Sequence, residues 1–397
     1  MRAEQTTYTP VTTSSVCTAL HSSVQPAGIQ LRCPTERALQ DSTQAFLSQL
    51  ETLELRHCVE LPASSSSVLG FKQSFQLRPD LARIWAPGLD TTGLQLHLGR
   101  GAAQPESDLA REIVSALLLS PLTFDFPSHA ELAAAVRMRR NIVVAARKTA
   151  LAFGTVEAER PEDCWIYLEG KGFVVKPGCE LIAALIKATQ PEVSGKLYSF
   201  SCYRATEYVI LLAMVQELER SNTELLARLQ QQWQQRPIMS GQFHDVFLHE
   251  YGSMQAPLPP KYYVPGNRLW FRNPDAHSSN ASGYEGSWGF YLGGGLFSNF
   301  WKRDRPFTLI EKCVEIYHWR HATCTDSEGE LRIDEAIVEQ RVTQTLAYAT
   351  RTAEVMRQML RLRDPQGVYE AGGCIDTTRE APRKVCLATS DMILPGH

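Results

Sequence analysis

An excess of positive charge is missing from this chain. Lys and Arg number 40 against 43 Asp and Glu, for a net charge of -3. Nothing here neutralises a run of phosphates, so neither nucleic acid nor a membrane surface is an expected partner. Long apolar runs are missing too: the longest, around residues 113–119 and 209–215, fall far short of the ~20 residues a spanning helix needs. The opening MRAEQTTYTPVTTSSVCTAL is polar where a secretory leader needs an apolar stretch, so the expected location is cytoplasmic, with non-classical delivery outside the cell as the alternative. Closely spaced cysteines are also absent. The ten cysteines stand at 17, 33, 58, 164, 179, 202, 313, 324, 374 and 386. None has a partner two to four residues away, which argues against a zinc site or a redox dithiol, and most are expected as free, buried thiols. Gly-x-x-x-x-Gly-Lys-Ser/Thr, His-Glu-x-x-His and Gly-x-Ser-x-Gly are missing, and the glycines at 99–101 and 293–295 lack the strand-to-helix setting of a phosphate cradle. No cofactor and no metal are expected.

What is present is a chain of 397 residues, 44% hydrophobic, enough for one large or two modest domains. Residues 1–105 read as a partly flexible N-terminal extension: a Thr/Ser-rich start, a helical stretch over 38–55, a serine linker at 63–67, and a strand suggested by Leu94, Leu96 and Leu98. A body over 106–325 and a C-terminal helix and tail over 326–397 complete the expected organisation. Ser128 and Glu131 form a capping box for a helix reaching about 153, with Arg137, Arg140 and Arg147 on a solvated face. Residues 165–176 read as a β-hairpin and 179–188 as a helix. Tyr208, Leu211, Leu212, Val215 and Leu218 recur at helical spacing, and Ser221 with Glu224 suggests another helix start. Aromatic strands between 240 and 300 imply antiparallel sheet, with His244 and His249 on a strand; 334–363 is a single long helix, and the tail after 366 looks weakly ordered. Segregation of helix-rich from strand-rich stretches makes the fold class α+β.

Chemistry concentrates at Tyr198-Ser-Phe-Ser-Cys202-Tyr-Arg-Ala-Thr-Glu. An isolated cysteine at the entry to a buried helix sits where partial positive charge and unpaired amides lower a thiol pKa, the setting of a cysteine nucleophile. A buried structural cysteine fits the same pattern.

The stretch from Phe124-Asp-Phe-Pro-Ser-His-Ala-Glu-Leu to Met138-Arg-Arg-Asn-Ile-Val-Val-Ala-Ala resembles the bacterial protein-glutamine γ-glutamyltransferases of spore-forming Bacillus. Trp165 with its hairpin, Pro177 with the following helix, Tyr198–Cys202, Gly266-Asn-Arg-Leu-Trp-Phe-Arg-Asn-Pro274 and Tyr284-Glu-Gly-Ser-Trp-Gly-Phe-Tyr-Leu-Gly293 match in the same order. The resemblance covers roughly residues 119–300. It implies a calcium-independent transglutaminase with a papain-like core, in which Cys202 forms a thioester with protein glutamine and a lysine amine resolves it. Partners would be proteins with exposed Gln and Lys.

Against the family pattern, Ser201 stands where a glutamate precedes the cysteine, Ser287 stands at a second functional glutamate, and a family histidine falls near Phe300. A shift of one or two residues brings Glu285 forward as the acid–base partner, a role a carboxylate with a raised pKa can fill. His244, His249 and Glu250 are the next candidates, because imidazole is the usual base for cysteine. Trp288 and Trp301 are read either as core or as walls of a tunnel for the lysine stem. The expected activity is glutamine-to-lysine acyl transfer. Glutamine deamidation through the same thioester and a transglutaminase-like scaffold without catalysis are the alternatives.

Overall fold

The computed structural model describes residues 26–68, 70–99, 105–153, 158–238, 240–364 and 372–394. The Thr/Ser-rich start, most of the 102–106 loop and the first part of the tail lie outside them.

The alternating strand β1 (Ile29–Cys33) pairs antiparallel with β2 (Gly70–Leu77). Helix α1 (Glu36–Thr52) begins where the Thr35 hydroxyl accepts the Ala38 N–H, and it packs Leu39, Phe46 and Leu50 inward. Past residue 105 come α2 (Pro105–Leu118), β3 (Phe124–Phe126) and α3 (His129–Lys148). β3 is zipped in parallel to β1, and one apolar cluster runs from Ile29 through α2 and α3 to Val385. The boundary expected near 105 therefore crosses a sheet and a core that are continuous. Leu94, Leu96 and Leu98 are not a strand: Gln95–Leu98 is one helical turn. Leu94 and Leu98, four apart, are buried while Leu96 is 83% exposed, a helical pattern that three alternate leucines mimic.

Ser128 caps α3 as its sequence suggests, accepting the Glu131 N–H. Glu131 does not reciprocate. Its carboxylate is fully buried and accepts the Val385 and Cys386 N–H groups and the Thr389 hydroxyl of the C-terminal tail. Nor is the arginine face simply solvated: Arg137 pairs with Glu217 at 2.6 Å, and Arg147 donates to the Leu292 carbonyl at 3.0 Å.

The hairpin forms from β4 (Trp165–Leu168) and β5 (Gly172–Val175), followed by α4 (Leu181–Thr189). A disulfide joins Cys164 to Cys179, one exception to the free thiols expected; seven other cysteines are free among the described residues. Helix α5 (Cys202–Ser221) is buried around its whole circumference and lies against α3 and α4, so every residue from Ala205 to Val215 is buried, the polar Thr206 and Glu207 included. The next helix, α6 (Thr223–Gln235), is capped by Asn222 and not by Ser221, whose hydroxyl donates to the Glu217 carbonyl one turn back. His244 lies on α7 (Ser240–Phe247), and the strand β6 (Leu248–Tyr251) holds only His249 and Glu250 of the expected run.

The second sheet contains β6, β7 (Arg268–Arg272), β8 (Gly286–Gly293), β9 (Leu296–Phe297) and β10 (Phe307–Thr308). Its sixth strand, β11 (Arg379–Pro382), comes from the tail and slots between β6 and β7, giving the antiparallel order β6-β11-β7-β8-β9-β10. The segment after 366 is therefore not loosely ordered throughout: residues 374–381 are buried. The single long helix expected over 334–363 is two, α9 (Glu335–Leu346) and α10 (Ala349–Met359), which fold over α8 (Leu309–Trp319). Val338, Val355 and Met359 reach one core with α8 from both, which a straight helix would not allow. Helices packed against a mainly antiparallel sheet, and segregated from it along much of the chain, make the molecule α+β.

Candidate active site

Cys202 is the first residue of α5. Ser201 holds the extended backbone of a cap, φ -78° and ψ 156°, and its hydroxyl accepts the Arg204 N–H at 3.3 Å. A serine at this position thus closes the helix start, where a glutamate side chain would serve less well. The helix delivers the half-buried sulfur to the open edge of β8. Along β8 the Tyr291 N–H turns toward β7, onto the Asn267 carbonyl at 3.1 Å, while the Phe290 N–H turns away, onto the Ser298 hydroxyl at 2.9 Å. The Trp288 N–H shares the outward direction, and β9 pairs only from Tyr291 onward. That amide meets the Cys202 sulfur and stabilises its thiolate, together with the N–H groups of Tyr203 and Cys202 itself.

A helix start by itself should depress the thiol pKa. The structure reverses that direction: burial is the largest influence and raises it, and the three amides and the Lys312 ammonium recover only part of the loss. Lys312, from α8, is itself buried, pairs with Glu315 at 3.1 Å and stands 4.0 Å over the Phe307 ring.

Over the Trp288 and Tyr203 rings lies a stacked cation. The Arg268 guanidinium sits 4.0 Å over the Trp288 ring and 4.5 Å over the Tyr203 ring. It donates to the Thr206 hydroxyl at 2.8 Å, one helical turn beyond Cys202, and to Glu380 on β11 at 2.5 Å. Glu380 also holds His244 Nδ1 at 3.0 Å. Each partner shifts the other: Glu380 raises the His244 pKa, and His244 and Arg268 hold the Glu380 carboxyl low in spite of its burial. α7 itself is docked at the start of α5, where Arg204 donates to the Ile238 carbonyl at 2.7 Å.

Trp288 stacks on Trp270 with centroids 5.9 Å apart and meets Tyr203 edge-on at 5.2 Å, forming an aromatic wall beside the sulfur. Trp301, 37% exposed, stands edge-on to Phe153, which is registered with Phe200, two residues before Cys202. Gly286 makes room for this wall, because a Cβ there would lie 2.1 Å from the Trp270 indole nitrogen. Glu285 does not join the site. It is exposed, its side chain accepts only the Gly283 N–H at 3.4 Å among the hydrogen bonds found for it, and it precedes β8 on the parity of Ser287. Ser287 is registered with Phe271, on the sheet face that packs against α8, whereas Trp288 with Trp270 and Phe290 with Arg268 share the α5 face. Strand alternation thus puts Ser287, and Glu285 before it, on the face opposite Trp288 and Arg268. Phe300, at the family's histidine position, is core. His249 is bound to Asp391 at 2.7 Å and is registered opposite Ala381, on the reverse face from Glu380, while Glu250 stands opposite Glu380. Of the imidazoles put forward, His244 is the one tied through Glu380 to Arg268, whose guanidinium stacks on Trp288 and Tyr203. Sequence reading missed Arg268, Lys312 and Glu380: Arg268 looked like an ordinary strand residue, and Glu380 lay in a segment read as tail.

Among the described residues no group of three or more His, Cys, Asp or Glu could hold a metal ion, and no helix is long and apolar enough to cross a membrane. No curated protein matches the chain. Among solved structures, the transglutaminase from Geobacillus stearothermophilus (without C-terminal extension) is similar at 20% identity over 54% of this chain and 98% of that one, with a TM-score of 0.38. The family model for protein-glutamine gamma-glutamyltransferase matches residues 92–380, from the turn before α2 to the Glu380 strand, and the chain belongs to that family.

Proposed function

We propose that the chain acts as a calcium-independent acyltransferase with Cys202 as nucleophile and His244 as its proton acceptor. The observation that carries this reading is the Cys202 sulfur at the start of α5 against the outward-pointing Trp288 amide. His244 takes the thiol proton while the sulfur bonds to the glutamine side-chain carbonyl carbon. The carbon–nitrogen bond then breaks, and the imidazolium returns the proton to the departing nitrogen as ammonia. A lysine amine attacks the thioester next; its proton passes through His244 back to sulfur as the carbon–sulfur bond breaks. With Nδ1 held by Glu380, Nε2 is the exchanging nitrogen. The raised His244 pKa narrows the gap to a thiol that burial has pushed up. The aromatic wall of Trp270, Trp288 and Tyr203 offers a channel for the lysine stem and keeps water from the thioester.

Incubation of a glutamine-bearing protein with a fluorescent primary amine tests the reading. Incorporation that survives a calcium chelator and disappears in Cys202→Ala is expected. Ammonia release without incorporation would make the enzyme a deamidase, and incorporation by Cys202→Ala would remove Cys202 from the chemistry.

A further inference from the structure

Arg139, on α3, is 3% exposed, and among the described residues no carboxylate meets it. Its one hydrogen bond runs from a guanidinium nitrogen to the Pro265 carbonyl at 3.5 Å, and the Phe124 ring lies 5.9 Å away. Of two other deeply buried arginines of the sheet region, Arg268 has Glu380 at 2.5 Å and Arg379 donates to the Asp376 and Thr378 carbonyls. A guanidinium taken out of water without an anion is strongly disfavoured, and burial accordingly pushes the Arg139 pKa down, opposed only by Tyr251 and Tyr262.

The same side chain lines a cavity of about 220 Å³ between α3, β3, β6 and the end of β11. Phe124, Phe126, Met138 and Tyr251 supply apolar and aromatic walls, and Arg383, whose Nε is buried without a hydrogen-bond partner, adds a second cation. Three acids border the space, and none forms an ion pair with Arg139. Asp125 is held by Arg32 at 2.7 Å through Oδ2, while its Oδ1 is buried without a hydrogen-bond partner; Glu131 is held by the Val385 and Cys386 amides, and Glu250 is registered opposite Glu380 on the other face of the sheet and adds to the potential at His244. His249 on the cavity side is already bound to Asp391. What remains is an unanswered cation in an aromatic hollow, smaller than the roughly 300–1,000 Å³ of sites for drug-sized ligands.

We propose that this cavity binds a small monocarboxylic acid with an apolar or aromatic body, its carboxylate on Arg139 and its body between Phe124, Phe126 and Met138. Because Ala381–Lys384 form one wall and continue directly from Glu380, the ligand braces the strand that holds Arg268 and His244. The site does not depend on the catalytic reading, since no residue of the Cys202 neighbourhood lines it.

Benzoate is the probe, with acetate and inorganic phosphate as comparisons, read by calorimetric titration and thermal unfolding of the full chain. Wild type is expected to bind benzoate saturably with a rise in Tm, acetate more weakly, and phosphate no better than acetate. Arg139→Met should weaken benzoate at least about tenfold, as loss of a charge-assisted bond requires, while unfolding no earlier than wild type in the absence of ligand. Ala135→Leu fills the cavity and leaves Arg139 in place; it should abolish benzoate binding as well. Absence of saturable benzoate binding to wild type overturns the proposal, as does undiminished binding to Arg139→Met or to Ala135→Leu. Phosphate binding tighter than benzoate would overturn the assignment of a carboxylate with an apolar body.

Discussion

At the level of single residues the decisive competition is between burial and hydrogen bonding at one sulfur. Three amides and one ammonium favour the Cys202 thiolate, yet burial outweighs them and the thiol stays above its ordinary value of 9.0. Alkylation by iodoacetamide should therefore be slow near neutral pH and keep accelerating as the pH rises past 9, in contrast with the acid-shifted reactivity of a thiol exposed at a helix start. Lys312→Met removes a positive charge that lowers this pKa, and slower alkylation at fixed pH, by about threefold to tenfold, is the expected result. An unchanged rate would show that Lys312 is too well neutralised by Glu315 to be felt at the sulfur. Sequence pattern could place Cys202 at a helix start, because the spacing from Tyr208 to Leu218 is local information. The sign of its pKa shift was not legible, since burial comes from β8, a strand some 85 positions further along the chain.

At the level of elements, the strand β11 is what joins the sheet to His244, through Glu380. Glu380 raises the His244 pKa and is itself held low. The sign follows for each. His244 contributes stability below its ordinary value of 6.5, and that contribution is lost as the pH rises through its elevated value in the folded protein; Glu380 contributes above 4.5 and loses its contribution as the pH falls through its depressed value. The pair is thus intact between the two folded values. In Glu380→Gln the imidazole loses its main support, so the acidic limb of the kcat/KM profile for amine transfer should move to lower pH. A profile reduced in height without a shift of that limb would mean that His244 is not the proton acceptor. Arg268→Ala is expected to be severe for stability, about 3–5 kcal/mol in urea unfolding, because it leaves the 7% exposed Glu380 carboxylate without its cation. Hairpin, α3 and α5 were legible from caps, turns and periodicity. The break between α9 and α10 was not: no glycine or proline marks it, and it exists because both halves pack on α8.

At the level of the whole molecule, the C-terminal residues close the structure on themselves. Glu131, near the start of α3, is fully buried and its carboxylate accepts the Val385 and Cys386 amides and the Thr389 hydroxyl. Glu131→Gln turns one acceptor into a donor facing N–H groups, and a loss of about 2–4 kcal/mol is expected in chemical denaturation. Truncation before residue 372 should cost more, because it removes β11 from between β6 and β7 and exposes two strand edges together with Arg268. A truncated chain that unfolds at the wild-type urea concentration would show that the tail is an accessory.

Local information determined what is local in origin: the α+β class, the helix entry at Cys202, the hairpin, the aromatic strands, and a motif order sufficient to point to the family whose model spans residues 92–380. Tertiary structure alone decided which side chains share the sulfur's surroundings. Alternation along β8 sends Glu285 and Ser287 to one face and Trp288 to the other, and a one-residue difference in parity cannot be read from a loop of uncertain length. Glu380 reaches His244 and Arg268 from more than 100 positions away, because a sheet selects its strands by pairing and burial and not by order along the chain.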